Sequence, residues 1–304
     1  MGLARGAIKL IAEIVREHKL GGRVLVIGKQ DVWGTEQDVL RWLGESGLTP
    51  AKCKALLSLK PDFQRLDFIQ DTSLFKLMGF QDVVTLDNSA YEGAEIIYDM
   101  NLPVSDELLV KTGRFDLLVD AGCLEHIFDA PEVLKNFHRL SCAQGVVIHV
   151  SPSSNHVDHG FYMFSPTFFQ DYYSANHWDI LSHYFFRYSQ SYKARWKVYQ
   201  YEPGAILPLS FGGLNRGLYG IFMAARRRDG STYDANVQQG MYLAAWAENS
   251  HIKKPPTFTN KWLALRERLK PHVPKVLLPF LMTVEAKVKA AGGLSRYLKH
   301  YKNL

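Results

Sequence analysis

The sequence has few cysteines and no long hydrophobic run. Its three cysteines, Cys53, Cys123 and Cys142, have a spacing that fits neither a disulfide framework nor a metal-binding cluster. It contains no stretch of about 18 apolar residues, so we predict no transmembrane helix. Charged residues interrupt the amphipathic segment from Ala4 to Leu20, so we predict no signal peptide there. We therefore expect a cytoplasmic protein with free thiols.

The complete glycine fingerprint of dinucleotide-binding proteins is also missing. An apolar strand at Arg23–Ile27 ends in Gly28 and leads toward a helix, where a nucleotide-binding α/β fold places its first ligand loop. Gln30 and Val32 stand where the fingerprint has glycines. A tight turn after a core strand and a ligand loop are both compatible with this pattern. In a ligand loop, Gln30 and Asp31 could replace backbone contacts with side-chain hydrogen bonds.

Charge is distributed unevenly along the chain. Residues 251–304 carry 12 Lys/Arg and 2 acidic residues, whereas the first 250 residues carry 24 Lys/Arg and 28 acidic residues. We therefore divide the chain into a domain (residues 1–250) and a basic helical C-terminal extension (residues 251–304). The extension suits peripheral contact with the inner face of a membrane. The alternative is a helical appendage that covers the domain or a second subunit of a homo-oligomer. We predict no nucleic-acid partner, because the body is acidic.

Short apolar strands alternate with helices in the first half of the chain. This alternation predicts an α/β fold with a doubly wound, mostly parallel sheet and helices on both faces. The distance from Gly28 to Asp87 is long for one strand–helix–strand unit, which spans about 30 residues. We therefore predict a helical insert at about residues 35–70. Alternating aromatic and charged residues further along predict a hairpin cap at about residues 187–215.

Three later strands end in acidic residues, which suits a ligand site at the carboxyl edge of the sheet. A carboxylate after the second strand can accept both hydroxyls of a ribose, and one after the third can accept from an exocyclic amine. A methionine beside the carboxylate of the third strand can pack on a purine face. Taken singly, each acidic residue is more often a turn residue. The residues at the three strand ends are Asp87 and Asn88, Asp99 and Met100, and Asp120 and Gly122.

Several of these segments resemble class I S-adenosylmethionine-dependent methyltransferases. The resemblance covers about residues 20–230 and rests most on Phe115–His126, which is close to the segment after strand four in the methyltransferase-11-like group. The segment Asn155–Pro166 resembles a branch of that group from bacterial glycan and secondary-metabolite clusters. The resemblance implies a Rossmann-like sheet with an antiparallel last strand, which residues 219–225 fit. It also implies S-adenosyl-L-methionine as the cofactor. The other matching segments are Val24–Gly28, Val84–Asp87 and Tyr98–Met100.

The resemblance also implies roles for individual residues. Gly28 would approach the methionine part of the cofactor, and Asp87 would hold the ribose. Asp99 and Met100 would hold the adenine, while Asp120 and Gly122 would border the methionine end.

The segment after the fifth strand has an unusual composition, with two histidines, an aspartate and several aromatic residues. His156 and His159, with Asp158 between them, could bind a metal, but no further Cys/His cluster supports this, so we predict no metal site. We favour an acceptor pocket with a general base, because a hydroxyl acceptor must lose its proton and an imidazole can take it. His159 is the first candidate for this base and His126 the second. Hydrogen-bonded loop histidines are the structural alternative.

Together these features predict a methyltransferase that transfers a methyl group from S-adenosyl-L-methionine. The resemblance implies O-methylation of a hydroxyl on a glycan, a lipid-linked sugar or a small metabolite. A catalytically silent methyltransferase-like scaffold or interaction protein is the alternative, supported by the incomplete glycine loop. An NAD-dependent oxidoreductase is disfavoured, because its fingerprint needs the same glycines and no Tyr-x-x-x-Lys set occurs.

Overall fold

The computed structural model of the chain describes residues 2–210, 212–246, 277, 283–284 and 293–304. The strands are β1 Arg23–Ile27, β2 Asp31–Thr35, β3 Phe68–Gln70, β4 Asp82–Asp87, β5 Ile96–Ile97, β6 Phe115–Asp120, β7 Ser141–Pro152, β8 Asp179–Tyr188, β9 Lys197–Gln200, β10 Leu218–Arg226 and β11 His300–Asn303. The helices are α1 Arg5–Glu17, α2 Glu36–Glu45, α3 Pro61–Gln64, α4 Asp71–Leu77, α5 Asp106–Thr112, α6 Ala130–Leu140, α7 Pro166–Ala175 and α8 Gly240–Trp246.

Nine of these strands form one mixed sheet, in the order β11-β9-β8-β10-β7-β6-β1-β4-β5. All neighbouring pairs from β7 to β5 are parallel. Strand β10 lies antiparallel between β7 and β8, and it contains the residues predicted for the antiparallel last strand. The predicted Rossmann-like, mostly parallel sheet is therefore confirmed.

Most residues of the central strands are apolar because helices cover both faces of the sheet. On one face, α1, α2 and α4 pack against Val24 and Val26 of β1. On the other face, α6 and α7 pack in the same core as Leu25 and Ile27. A strand that is buried on both faces cannot alternate polar and apolar residues. The doubly wound arrangement follows from this pattern.

Side-chain caps begin two of the helices. The Thr35 hydroxyl accepts a hydrogen bond from the Asp38 amide at the start of α2 (3.1 Å). The Asp129 carboxylate accepts one from the Glu132 amide at the start of α6 (3.1 Å). Each cap satisfies an amide that has no partner within its own helix, which fixes the first turn.

The insert between β1 and β4 is only partly helical. It contains α2 and the four-residue α3, but it also contains the antiparallel pair of β2 and β3. Phe68 of β3 is buried, and its ring packs edge-on against those of Trp33 and Phe63. A three-residue strand is too short to show a period of two, so the sequence pattern does not reveal this pair.

The end of the chain also differs from the predicted helical extension. Strand β11 pairs antiparallel with β9 and adds an edge strand to the sheet. The Leu304 side chain is buried, and its backbone exchanges hydrogen bonds with Trp196 (2.7 and 2.9 Å). Pairing with a strand about 100 residues away overrides the local basic pattern, which carries no information about that partner. Residues 251–276, 278–282 and 285–292, where the other predicted features of the extension fall, lie outside the described residues. Within the described part of the chain, no helix is long and apolar enough to cross a bilayer.

Candidate active site

The carboxyl ends of three parallel strands meet at one edge of the sheet, as a ligand site in this fold class requires. In the register of the sheet, Ile27 at the end of β1 lies beside Leu86 of β4 and Asp120 of β6. The amide of Gly28 donates to the Leu86 carbonyl (2.7 Å). The predicted cofactor residues Gly28, Asp87 and Asp120 are therefore brought together.

Asp87 keeps capacity for further hydrogen bonds. One of its carboxylate oxygens accepts from the Lys29 amide and the other from the Ser89 amide, both at 3.2 Å. Each carboxylate oxygen can accept two hydrogen bonds, so two more donors can be accommodated. Asn88 is exposed beside it. This is the capacity that two ribose hydroxyls would use.

Asp99 lies next to Asp87, because the Tyr98 amide donates to the Asp87 carbonyl (2.9 Å). Its Oδ1 accepts from the amide and the side chain of Asn101 (2.9 and 2.8 Å), and its Oδ2 receives no hydrogen bond from the described residues. Met100, by contrast, is buried in the core on one face of the sheet.

The loop after β1 is closed by hydrogen bonds within the protein. The Gln30 amide donates to the buried carboxylate of Asp71 (2.9 Å), which also binds the Lys29 ammonium group (2.9 Å). The Gln30 side chain folds back and donates to the Ile27 carbonyl (3.0 Å). Asp31 forms an ion pair with Lys60 (2.9 Å). The side chains of Gln30 and Asp31 therefore bind protein groups.

Two glycines at this edge have positive φ angles, Gly28 (70°) and Gly122 (92°). A β-carbon on Gly28 would lie 3.1 Å from the sulfur of Cys123, so a larger residue there would be both strained and crowded. Both positions therefore depend on glycine for the turn at the strand end.

Asp120 is part of a fully buried hydrogen-bond chain. Its Oδ1 accepts from the amides of Cys123 and Leu124 (3.0 Å each), and its Oδ2 lies 2.9 Å from His149 Nδ1. The other ring nitrogen of His149 lies 2.6 Å from the Tyr173 hydroxyl. Burial raises the pKa of Tyr173 well above its usual value, so the hydroxyl stays protonated and donates a hydrogen bond to His149. His149 Nδ1–H then donates to Asp120, and this chain links β6, β7 and α7.

Glu125 has a very different environment from Asp120. Its side chain is fully buried, and neither of its carboxyl oxygens has a hydrogen-bond partner among the described residues. The nearby imidazole nitrogens are His159 Nε2 at 3.7 Å and His126 Nε2 at 4.0 Å, both measured from Glu125 Oε1. Burial, with a smaller contribution from the Asp120 charge, raises the pKa of Glu125 to about 8. The raised pKa favours the neutral acid form of this side chain.

The sequence predicts catalytic roles for both histidines but not for Glu125. The available signal was the acidic–basic pair Glu125-His126 directly after the fourth parallel strand. The rings of His126 and His159 pack edge to face, 5.1 Å apart. Burial is the main cause that lowers the pKa of each, so both rings are neutral at neutral pH.

Backbone contacts hold the two loops of this cluster together. The Phe161 amide donates to the Glu125 carbonyl (2.8 Å), and the Tyr162 hydroxyl donates to the Phe128 carbonyl (2.6 Å). A β-carbon on Gly160 would lie 2.7 Å from the Glu125 carbonyl oxygen, so only glycine permits this approach. These contacts fix the position of the Glu125 backbone relative to the loop that carries His159.

A pocket of about 360 Å³ lies beside the cluster, and His159 forms part of its wall. His156 also lines it, with its Nε2 3.2 Å from the Tyr188 hydroxyl. The predicted hairpin region contributes several lining residues, so it borders the pocket from the sheet edge. The remaining wall is mainly aromatic and polar: Trp33, Asn155, Ser189, Gln190, Ser191, Tyr192 and Trp196, with Ala4, Val157 and Leu218.

No protein-family model and no curated protein matches the chain. Among solved structures, it is similar to the 1,6-didemethyltoxoflavin-N1-methyltransferase of Burkholderia thailandensis, with 14% identity over 74% of this chain and 80% of that one and a TM-score of 0.38. A SAM dependent methyltransferase from Archaeoglobus fulgidus has 14% identity over 73% of this chain and 96% of its own, with a TM-score of 0.37. The StiE O-MT structure has 13% identity over 75% and 76%, with a TM-score of 0.36. The function proposed below rests on the residues of the site.

Proposed function

We propose that this protein is a methyltransferase that uses S-adenosyl-L-methionine to methylate a hydroxyl group. The observation that carries the proposal is the cluster of Glu125, His126 and His159, which lies between the carboxyl edge of the sheet and an aromatic pocket. Neutral imidazoles beside a pocket can accept a proton from a bound hydroxyl. Acidic strand ends with unused acceptor capacity lie at the same edge.

The residues of that edge fit the cofactor at its nucleoside end. Asp87 would accept from the ribose hydroxyls, and the free oxygen of Asp99 would accept from the adenine amine. Gly28 allows backbone to pass close to the methionine end, which Asp120 and Gly122 border. The side chain of Met100 is buried, so it would support the position of the neighbouring Asp99 through the core.

The chain's own residues would align the acceptor and remove its proton. The cofactor supplies an already activated methyl group, so the protein mainly positions the reacting atoms. His159 would accept the hydroxyl proton, because it faces both the pocket and Glu125. His126 packs against the His159 ring and restricts its orientation. Burial of Glu125 as a neutral acid keeps a fixed negative charge away from the reacting hydroxyl.

The pocket favours a compact polar acceptor with apolar faces, such as a sugar unit of a glycan or a lipid-linked sugar, or a small metabolite. Its volume of about 360 Å³ lies at the lower end of small-molecule sites. Trp33, Tyr188 and Tyr192 can pack on the faces of a ring, while Ser189 and Gln190 can bond to its hydroxyls.

A catalytically silent methyltransferase-like scaffold is the second candidate. One observation favours it: Lys29 and Gln30 both bond to Asp71, so the loop after β1 is complete without a ligand. In that case the strand-end carboxylates would be turn residues and the pocket would serve a partner protein.

Calorimetric titration of the full chain with S-adenosylhomocysteine separates the two candidates. We expect a one-to-one isotherm with a dissociation constant in the micromolar range. Incubation with labelled S-adenosylmethionine and a panel of sugars and small alcohols would then identify the acceptor. A flat trace at high ligand concentration, with or without an acceptor, would reject the enzyme in favour of the scaffold.

A further inference from the structure

Three potential metal ligands from two loops converge at the edge of the pocket. Glu125, His126 and His159 each offer one ligand atom, and these three atoms lie within 4.8 Å of one another. We propose that these three residues bind a divalent transition-metal ion such as Zn²⁺. Two imidazoles and one carboxylate are a donor set that Zn²⁺ and neighbouring first-row ions prefer.

The distances fit a site that needs little rearrangement. Ligands about 2.0–2.2 Å from a tetrahedral ion are roughly 3.4 Å from each other. In the structure, Glu125 Oε1 lies 3.7 Å from His159 Nε2 and 4.0 Å from His126 Nε2. Each of these two carboxyl–imidazole pairs would need to close by a few tenths of an ångström, and the ligand atoms of the two imidazoles lie within 4.8 Å of each other. Both imidazoles are partly exposed, so rotation of their side chains can bring the ligand atoms closer.

The unpartnered carboxyl of Glu125 is the second, independent observation that points to a ligand. It is fully buried, beside the two imidazoles, and lacks hydrogen-bond partners among the described residues. A buried polar group without a partner costs free energy, so such groups are rare unless something completes their bonding. A cation that displaces the Glu125 proton to solvent, and is held between the resulting carboxylate and the imidazoles, would complete it.

The cluster also has the open side that a catalytic metal site needs. The side chains of His126 and His159 are 47% and 40% exposed, and His159 lines the pocket. Three protein ligands with a free position toward a pocket distinguish catalytic from structural zinc sites. His156 is close to His159, but its Nε2 contacts the Tyr188 hydroxyl (3.2 Å), so it offers a matched control.

The inference stands on this geometry and goes beyond the proposed methyl transfer. If both hold, an acceptor hydroxyl in the pocket would coordinate the ion and lose its proton to solvent more easily. His159 would then hold the ion, and it would act as the proton acceptor only in the metal-free protein.

The test is metal binding by the full chain after removal of metal with a chelator. Calorimetric titration with Zn²⁺ should give one site per chain, and Co²⁺ should produce the visible absorption bands of a bound ion. Glu125→Gln and His159→Ala should each weaken binding by about 100-fold or more, because even outer-shell partners contribute 10- to 100-fold. His156→Ala should bind as the unmodified protein does. Circular dichroism of each variant checks that it remains folded.

The outcomes separate this inference from the proposed function. No site at millimolar Zn²⁺, or a site that survives both Glu125→Gln and His159→Ala, overturns the metal inference. S-adenosylhomocysteine binding by the metal-free protein would leave the methyltransferase proposal standing in that case. Metal binding that is lost in both variants, together with no S-adenosylhomocysteine binding, would support the metal site and reject methyl transfer.

Discussion

Two buried carboxyl groups that lie close together in the sequence have opposite environments. Asp120 and Glu125 are both fully buried. Asp120 accepts hydrogen bonds from two amides and contacts His149, whereas neither oxygen of Glu125 has a partner among the described residues. A carboxyl with complete bonding stabilises the fold, and one with incomplete bonding costs stability unless a ligand completes it. Burial alone therefore does not separate a structural carboxyl from a functional one.

The same contrast extends to the two sides of the site. On the side of the loop after β1, Gln30 and Asp71 satisfy each other's polar groups. On the side of the pocket, Glu125 has no hydrogen-bond partner and His159 is only partly covered. We infer that chemistry is concentrated on the pocket side, and that the loop side mainly supports the strand ends. Five predictions test this contrast.

The largest effect should come from Asp120→Ala, because it leaves His149 and two amides without their buried partner. We expect the free energy of unfolding to fall by roughly 3–5 kcal/mol. Denaturant titration measures it. Asp120→Asn is the matched control and should lose less, since its side-chain oxygen can still accept from the amides of Cys123 and Leu124. A loss below about 1 kcal/mol for Asp120→Ala would show that the hydrogen bonds of Asp120 contribute little to the stability of the fold.

His159→Ala should lower turnover by about 100-fold or more, because the acceptor would lose its base or its metal ligand. Affinity for S-adenosylhomocysteine should not change, since His159 lies on the pocket side. Steady-state kinetics with labelled cofactor measures turnover. Equal turnover in His159→Ala and the unmodified protein would contradict a role for this residue.

Two buried histidines differ in the same way, and the difference should affect how stability depends on pH. His149 is bonded at both ring nitrogens, whereas His183 contacts Gln170 through Nδ1 and leaves Nε2 without a partner among the described residues. Burial lowers the pKa of His183 to about 3. The Tyr201 ring beside it stays neutral, because burial raises its pKa to about 12.

Below about pH 6.5 the unfolded chain therefore gains a proton at His183 that the folded chain does not take up until about pH 3. Stability should fall as the pH falls through this window, by about 2 kcal/mol between about pH 7 and pH 5. The His183→Gln variant should lose about 2 kcal/mol less stability than the unmodified protein between these two pH values. Denaturant titrations at both pH values measure this difference. Identical losses in the two proteins would show that His183 is accessible to protons in the folded state.

Asp87→Ala should weaken S-adenosylhomocysteine binding by roughly 1–3 kcal/mol, because two ribose hydroxyls would lose their acceptor. Calorimetric titration measures the change, and Asp31→Ala is a suitable control, since Asp31 pairs with Lys60. Normal binding by Asp87→Ala would assign Asp87 to the turn alone, through its bonds to the Lys29 and Ser89 amides.

The smallest effect on stability should come from Glu125→Gln. The amide has the same shape as the neutral acid and no hydrogen bond is lost, so the free energy of unfolding should change by less than the roughly 1–3 kcal/mol that a newly unsatisfied buried group costs. Turnover should nevertheless fall, because Glu125 lies beside His159 on the pocket side. A destabilisation as large as that of Asp120→Ala would show that Glu125 is structural after all.

The sequence predicts the parallel strands and the meeting of the strand ends, and the helix caps likewise depend on local patterns. Thr35 and Asp129 begin helices through contacts three residues away. The strand pair β2–β3 and the edge strand β11 are not predictable in this way. Their strands are only three to five residues long, and their partners lie far along the chain.

Among the site residues, local sequence patterns define several of the groups that can meet at the carboxyl edge. The strand ends place Asp87 and Asp120 there, and the loop after β7 brings His159, whereas Glu125 joins them only in the fold. Which of these groups has its hydrogen bonds satisfied depends on packing. A hydrogen-bond partner such as His149 for Asp120 comes from a distant strand, so it depends on how the layers pack and not on the residues nearby. Packing completed the bonding of Asp120 and left that of Glu125 open.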